Sequence, residues 1–369
     1  MARLGDVATY INGYAFKPSD WSNEGKPIIR IQDLTGNSYQ ANRFNGVCPT
    51  KYNVYDGDIL ISWSASLGVY VWHGEDAVLN QHIFKVVFDK LDVDRSFFIY
   101  QVENILANAV DEVHGATMKH LTKPVFDALP FTLPPIEEQK RISKELDKVT
   151  QLIALRKQQL AKLDELVKSQ FVEMFGDPQG NPYGYRTVRL SDIAEYFNGL
   201  TYKPENVVEE GTIVLRSSNI QNSQLDFADT VRVDCAIKER LMVQDNDILM
   251  CSRNGSAKLV GKVALIKGIQ EPMSFGAFMM IIRSQYYGYL MTYFQMDAFR
   301  QQIRTGATTT INQITGRMLD DITIPLPPKA LVEQFTAFVE QVDKSKFAVQ
   351  QSIEKLETLK KSLMQQYFG

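Results

Sequence analysis

Cysteine is scarce in this 369-residue chain: Cys48, Cys235 and Cys251 are an odd number with no Cys-x-x-Cys spacing. That excludes a disulfide framework and a thiolate zinc site and points to a reducing compartment, the cytoplasm. Histidine is scarcer than the metal chemistry of this residue requires. His73, His82, His114 and His120 form neither a His-x-x-x-His pair nor a Cys/His cluster, so no metal site is expected. His82, inside Asn80-Gln81-His82-Ile83-Phe84, reads as a structural group at a strand edge. Long apolar runs are missing too. Met1 to Asp6 carries no signal core, and Phe278 to Ile282 is far shorter than a bilayer needs, so a soluble, unexported protein is expected.

An excess of positive charge is also lacking. Forty Lys and Arg against 43 Asp and Glu leave a net charge of −3. By segment the balance is −4 for residues 1–135, +1 for 136–176, −1 for 177–328 and +1 for 329–369, so no part is a basic DNA-binding domain of the ordinary kind. With 44% hydrophobic and 22% charged residues the chain is of globular composition, which excludes disorder and collagen-like repeats.

The signatures of catalysis are equally thin. An adenine methyltransferase carries Asn/Asp-Pro-Pro-Tyr/Phe; the nearest string, Asn181-Pro182-Tyr183-Gly184, lacks the second proline and reads as a linker turn. Asp20 with Glu24 and Lys26 has the outline of a magnesium-clamping nuclease site, but it falls in a polar turn and has no counterpart elsewhere, so it reads as a solvated loop. Gly255 to Lys262 misses the phosphate-loop spacing, and Val263 stands where Ser or Thr is required.

What is present is a duplication. Arg3 to Pro18 superimposes on Arg189 to Pro204 at an offset of 186 with nine of sixteen positions identical, where background composition gives roughly one. Arg30 answers Arg216, Asp56-Gly57-Asp58-Ile59-Leu60 answers Asp245-Asn246-Asp247-Ile248-Leu249, and Leu133-Pro134-Pro135 answers Leu326-Pro327-Pro328. Glu138-Gln139 and Phe175-Gly176 answer Glu333-Gln334 and Phe368-Gly369. The chain thus reads as module, helix, module, helix: 1–135, 136–176, 177–328 and 329–369.

Each module is a succession of short β-favouring runs broken by Gly, Asn and Asp, an α/β (α+β) domain with a curved sheet. Ile136 to Phe175 has neither Gly nor Pro, and Ile142, Leu146, Val149, Ile153, Leu160, Leu163, Val167 and Met174 trace a seam, with Arg156 and Gln170 as polar interruptions. The last segment repeats this with Phe335, Phe338, Val342, Val349, Leu356, Leu359 and Leu363, interrupted by Ser345 and Ser352. Two stripes of like length each need a cover, and antiparallel pairing of the helices would relate the modules by a pseudo-two-fold axis.

Two β-rich modules, each opening with Leu-x-Asp-x-Ala and Asn-Gly-x-x-x-Lys-Pro and closing with Leu-Pro-Pro before a helix with an early Glu-Gln, resemble the specificity subunit of type I restriction-modification systems. The resemblance covers essentially the whole chain. It implies two target recognition domains that each read half of a bipartite DNA sequence, spaced by an antiparallel coiled coil. It also implies that the chain is not itself catalytic. S-adenosylmethionine would be bound by two partner modification subunits, and ATP and magnesium by restriction subunits where those are present. The apolar residues Leu152, Leu155, Leu166 and Ile353 would then face the modification subunits.

Lys17, Arg30, Lys203 and Arg216, common to both modules, suit shared phosphate contacts or domain structure, whereas base readout belongs in loops that differ. The first such pair is Ser62, Ser64 and Ser66 against Ser252, Arg253, Asn254 and Ser256, with Arg253 suited to guanine and Asn254 to adenine. The second is Thr117, Lys119 and His120 against Thr308, Thr309 and Asn312. Weak DNA affinity is expected for the isolated chain, because partners would supply much of the phosphate grip. Two other readings stay open at this point: a coiled-coil interaction protein whose modules bind something other than DNA, and a chain that is itself a nuclease.

Overall fold

The computed structural model describes residues 2–36, 42–112, 122–305 and 312–369. They form two compact units, one made of Met1–Lys157 with Gln351–Gly369, the other of Gln158–Gln350. The expected helices are both there, Ile136–Phe175 and Lys329–Phe368, but neither stands apart as a spacer segment. Each gives one half to each unit, because a long helix with one apolar stripe is stable in water only where another surface covers that stripe.

Each unit carries two four-stranded sheets, with shorter two-stranded pairs beside them, rather than the single curved sheet expected. In the first unit the strands Thr9–Asn12, Ile83–Val87, Ile59–Ser62 and Gly68–Val71 lie side by side in that order, all antiparallel. A second sheet orders Arg43–Phe44, Lys26–Ile29, Ala77–Leu79 and Asn53–Val54, with its middle pair parallel. The second unit repeats both: Glu195–Asn198, Met279–Arg283, Ile248–Cys251 and Val263–Leu265, then Val207–Val208, Arg232–Val233, Thr212–Leu215 and Met273–Phe275, the last two parallel.

The central strand of each first sheet explains why two layers form. Ile59 and Ile61 enter the core that holds Tyr10, Phe84, Phe97, Phe98 and Leu146, while Leu60 points the other way to Ile29, Val54 and Leu79 of the second sheet. Likewise Ile248 and Met250 face the helical side and Leu249 and Cys251 face the second sheet. A strand covered on both faces is apolar at every position, which is why Ile59–Ile61 and Met279–Ile282 appear as runs instead of alternating.

Three capped turns recur at matched places in the two modules. In both units a backbone N–H is held by a side-chain oxygen three residues on: Arg3 by Asp6, Lys17 by Asp20 and Arg30 by Asp33 in the first, and Arg189 by Asp192, Lys203 by Asn206 and Arg216 by Asn219 in the second. Each closes a short helical turn by supplying an acceptor to an otherwise orphan donor. Asp20 is therefore a cap and not half of a metal clamp. The repeated Asn-Gly has a steric cause: a Cβ on Gly13 or Gly199 would collide with the carbonyl of Asn80 or Gly276. The Asn181 turn also forms as expected, its side chain accepting from Tyr185 N at 2.9 Å.

Within each unit the two helices run antiparallel. In the first, Arg141 and Glu145 near the start of Ile136–Phe175 meet Tyr367 near the chain end; in the second, Phe171 packs on Phe335 with ring centroids 5.5 Å apart. The seam departs from its expected course. Ile353 is 3% exposed and lies in it, so it is not a partner-facing residue, whereas Leu359 is 45% exposed. From Val342 the seam runs through Lys346, Val349, Ile353, Leu356 and Lys360, a three-four step that puts lysines at two seam positions and leaves Ser345 outside. Lys346 binds Asp164 at 2.6 Å, and Lys360 lies 4.0 Å from Glu103 and over the Tyr100 ring.

The two Glu-Gln pairs are not structural equivalents. Gln139, four residues after Pro135, is buried, accepts from Asp94 N at 3.0 Å and donates to the Pro134 carbonyl at 2.7 Å. Its counterpart by distance from the prolines is the buried Val332, while Gln334, two positions further on, is exposed. Two residues of helix turn the side chain through about 200°, to the opposite face.

Candidate nucleic-acid interface

In the second unit four loops meet at one end of the first sheet. Gly199 N and Leu200 N donate to Met279 O and Phe275 O, pinning the segment after Glu195–Asn198 against the turn at residues 276–278. The segment leaving Ile248–Cys251 is held by the same turn: Ser252 N and Arg253 N both donate to Phe278 O, at 3.0 and 3.1 Å. On its other side Ile314 N donates to Ser252 O and Asn254 N to Asn312 O. The first unit has three of these bonds, Gly13 N to Ile83 O, Tyr14 N to Leu79 O and Trp63 N to His82 O.

These bonds set the equivalences between units, and they differ by one residue from the sequence pairing of Ser62 with Ser252. Ser62 pairs with Ile83 as Cys251 pairs with Met279, so Ser62 corresponds to Cys251, Ser64 to Arg253, and His82 to Phe278. Ser62, Ser64 and Ser252 are buried, at 0%, 5% and 4% exposed. Ser62 donates to the Ser64 carbonyl inside the loop. These three serines brace the loop and do not present a reading surface. The cause is that each lies within or directly after a strand covered on both faces.

Of the remaining candidates, Lys17, Ser66, Lys203, Arg253 and Ser256 are exposed. Arg30 is half-buried beside Asp33 and lies 5.9 Å from the Trp21 ring centroid; Arg216 binds Asp229 at 2.6 Å. Both arginines hold the domain together through these contacts. Asn254 is half-buried, with its amide nitrogen on Ser217 Oγ at 3.2 Å and its oxygen on Ser256 N at 2.9 Å, while Asn312 donates to Gly255 O. These two amides fix the loop's shape. Thr117, Lys119, His120, Thr308 and Thr309 lie outside the described residues.

Arg253 is left at the surface with its guanidinium 5.4 Å from the ring centroid of Phe278. Phe278 is 59% exposed, and it escaped the sequence reading because it opens an apolar run that otherwise enters the core. Comparing Asn80-Gln81-His82 with Gly276-Ala277-Phe278 between well-matched flanks would have found it. Behind Phe278 lies a cleft of about 480 Å3, lined by Tyr202, Arg216, Ser217, Asp229, Gly276 and Phe278 among others. Burial pushes the neighbouring Cys251 thiol up, so it is no nucleophile. Among the described residues no cluster of His, Cys, Asp or Glu could hold a metal, and no helix is long and apolar enough to cross a membrane.

On the helix surfaces Leu152, Leu155 and Leu166 are 45%, 52% and 44% exposed, outside the seam.

A scaffold used twice, with conserved internal caps and with exposed residues that differ at matched positions, defines a tandem recognition protein. Residues 1–165 and 182–360 match the type I restriction modification DNA specificity domain, and the chain belongs to that family. It is similar to the specificity subunit of the type I restriction enzyme MjaVIII of Methanocaldococcus jannaschii, 24% identical over 99% of this chain and 90% of that protein. The EcoKI specificity subunit of Escherichia coli K12 is 23% identical over 96% and 83%. With the Escherichia coli EcoBI specificity subunit the match is 24% over 73% of this chain and spans only 62% of that protein. Among solved structures, the type I restriction-modification S subunit from M. genitalium shares the fold at a TM-score of 0.54 and 14% identity, covering 98% of this chain and 94% of that one. A chain from a structural study of assembly and conformational transition in a type I system gives 0.55 and 17%, covering 100% and 96%.

Proposed function

We propose that this chain is the non-catalytic DNA sequence-specificity subunit of a type I restriction-modification complex, each unit reading one half of a bipartite double-stranded target. The observation that carries this is the pairing of Ser64 with Arg253 and His82 with Phe278 on one shared backbone frame. The frame is kept while its surface changes: Arg253 and Phe278 stand exposed where the first unit has the buried Ser64 and the half-buried His82, and contacts to base edges, not the scaffold, carry sequence information. In this reading the antiparallel helices set the gap between the half-sites and dock two modification subunits through Leu152, Leu155 and Leu166. Those subunits bind S-adenosylmethionine and methylate adenine. Restriction subunits, where present, use ATP and magnesium. The complex works in the cytoplasm, in keeping with three free cysteines. The near-neutral charge of every segment fits a chain that depends on its partners for much of the phosphate contact.

Co-expression with an adenine methyltransferase modification subunit tests this. The expected outcome is a stable complex whose methylation maps to a bipartite site with two unlike halves and a fixed gap. Failure to associate, or methylation of an undivided site, would overturn it.

A further inference from the structure

We propose that Arg253 and Phe278 form one reading unit for a guanine in the half-site of the second domain, with Phe278 acting as the positioning residue for the arginine. This rests on the DNA-reading function proposed above and adds the base and the device that reads it. A free arginine side chain at a surface samples many rotamers and loses that freedom on binding. Three features reduce this loss here. The Arg253 backbone is pinned on one side by the bond from its N–H to Phe278 O, and on the other by its antiparallel bridge to Gln313. Its neighbours are fixed as well, Ser252 by Ile314 and Asn254 by Asn312 and Ser217. The guanidinium itself lies against the Phe278 ring, a cation–π contact at 5.4 Å that restricts the side chain while its donors stay available.

A planar fork of donors held in place matches the O6 and N7 acceptors that guanine alone presents together in the major groove. Phe278 is itself 59% exposed, which a residue serving only the core would not be. The equivalent positions of the first unit carry Ser64, which is buried, and His82, whose ring packs on Trp63 with centroids 4.9 Å apart. Among the described residues that unit has no cation at this place in its frame, so the Arg253–Phe278 pair reads in the second half-site.

The test is methylation of a randomised bipartite-site library by the full complex with its modification subunit, comparing wild type with Arg253→Ala, Phe278→Leu and Phe278→Tyr. The wild type should demand guanine at one position of one half-site. Arg253→Ala should relax that position by about tenfold to a hundredfold and leave every other position unchanged. Phe278→Leu should relax the same position by less, chiefly through KM, and Phe278→Tyr should keep the preference because it keeps the ring face. Both residues are exposed, so folding and subunit assembly should match wild type. An unchanged base requirement in Arg253→Ala overturns the inference and leaves the proposed function standing. So does loss of preference in Phe278→Tyr equal to that in Phe278→Leu. A wild-type complex that methylates no bipartite site defeats both.

Discussion

Arg283 grips Asp247 with two hydrogen bonds of 2.7 Å, from Nε to Oδ1 and from a terminal guanidinium nitrogen to Oδ2, and Asp247 is only 1% exposed. The same carboxylate caps the turn before its strand by accepting from Gln244 N at 2.8 Å. Its counterpart Asp58 keeps the cap, accepting from Tyr55 N at 2.9 Å, but its cation comes from a different place on the neighbouring strand, Lys85 at 4.0 Å. One half of the duplication has thus kept an aspartate while changing what neutralises it. Asp247 is buried but the Arg283 side chain is 26% exposed, so losing the carboxylate leaves a partly solvated cation and costs less than breaking a fully buried pair, about 1–3 kcal/mol. Asp247→Ala should therefore destabilise the second unit by an amount in that range in denaturant unfolding, and Asp58→Ala should cost the first unit clearly less. Equal effects would mean that the cap, and not the ion pair, dominates.

The repeated Asn-Gly makes a second prediction, because both glycines face a backbone carbonyl that cannot move aside. Gly13→Ala and Gly199→Ala should each destabilise their unit by more than about 2 kcal/mol, through displacement of the turns at Asn80 and Gly276. Gly57→Ala has open space at its Cβ and is penalised by its φ of 84° alone, so it should cost less, about 1 kcal/mol. Thermal unfolding of the three variants decides the ranking.

What was legible in the sequence was the part that physics forces to repeat. Arg30, Arg216, Lys17 and Lys203 stood out because both modules keep them; each offers its backbone N–H to a capped turn, which accounts for the Asp or Asn three residues on and not for the basic side chain itself. Phe278 and the lysines of the seam were hidden for the opposite reason. A phenylalanine at the head of Phe278–Ile282 resembles the four core residues after it, and Lys346 resembles a solvated residue until Asp164 is placed opposite it. The helix ends were plain, since Pro135 and Gly176 punctuate them, and Gly176 takes the left-handed φ of 76° that a C-terminal cap needs. Division of each helix between two units could not be read from the seam, because a heptad pattern is silent about which neighbour covers it.

Asp343 carries a pH prediction. Burial holds its carboxyl above the usual carboxylate range, against the pull of Lys346 and Lys267 and with Asp164 and Glu340 pushing the same way. A carboxyl whose folded-state pKa is raised contributes stability that is complete below its unfolded value, about 3.9, and is lost as the pH rises through the folded value. Asp343→Asn should thus raise the melting temperature at pH 7, and the gain should shrink toward zero as the pH falls to the unfolded value. Lys346 retains its 2.6 Å contact with Asp164 in that variant. A gain of the same size at both ends of the pH range would show that the carboxyl's ionisation is not its source.

The helices offer single positions at which the proposed partner binding and folding can be told apart. Leu152 and Leu155 are about half exposed, whereas Ile353, on the other helix of the same unit, is 3% exposed in the seam. Truncating a buried isoleucine removes its contacts and leaves a cavity, at a cost of about 2–5 kcal/mol. Ile353→Ala should accordingly lower the melting temperature of the isolated chain. Leu152→Ser with Leu155→Ser should lower the unfolding free energy of the isolated chain by no more than about 1 kcal/mol and still reduce co-purification with a modification subunit. The double variant distinguishes a docking surface from ordinary exposed leucines: an unchanged yield of the complex would mean that these side chains face solvent in the assembly as they do in the chain alone, and that the partner is held elsewhere.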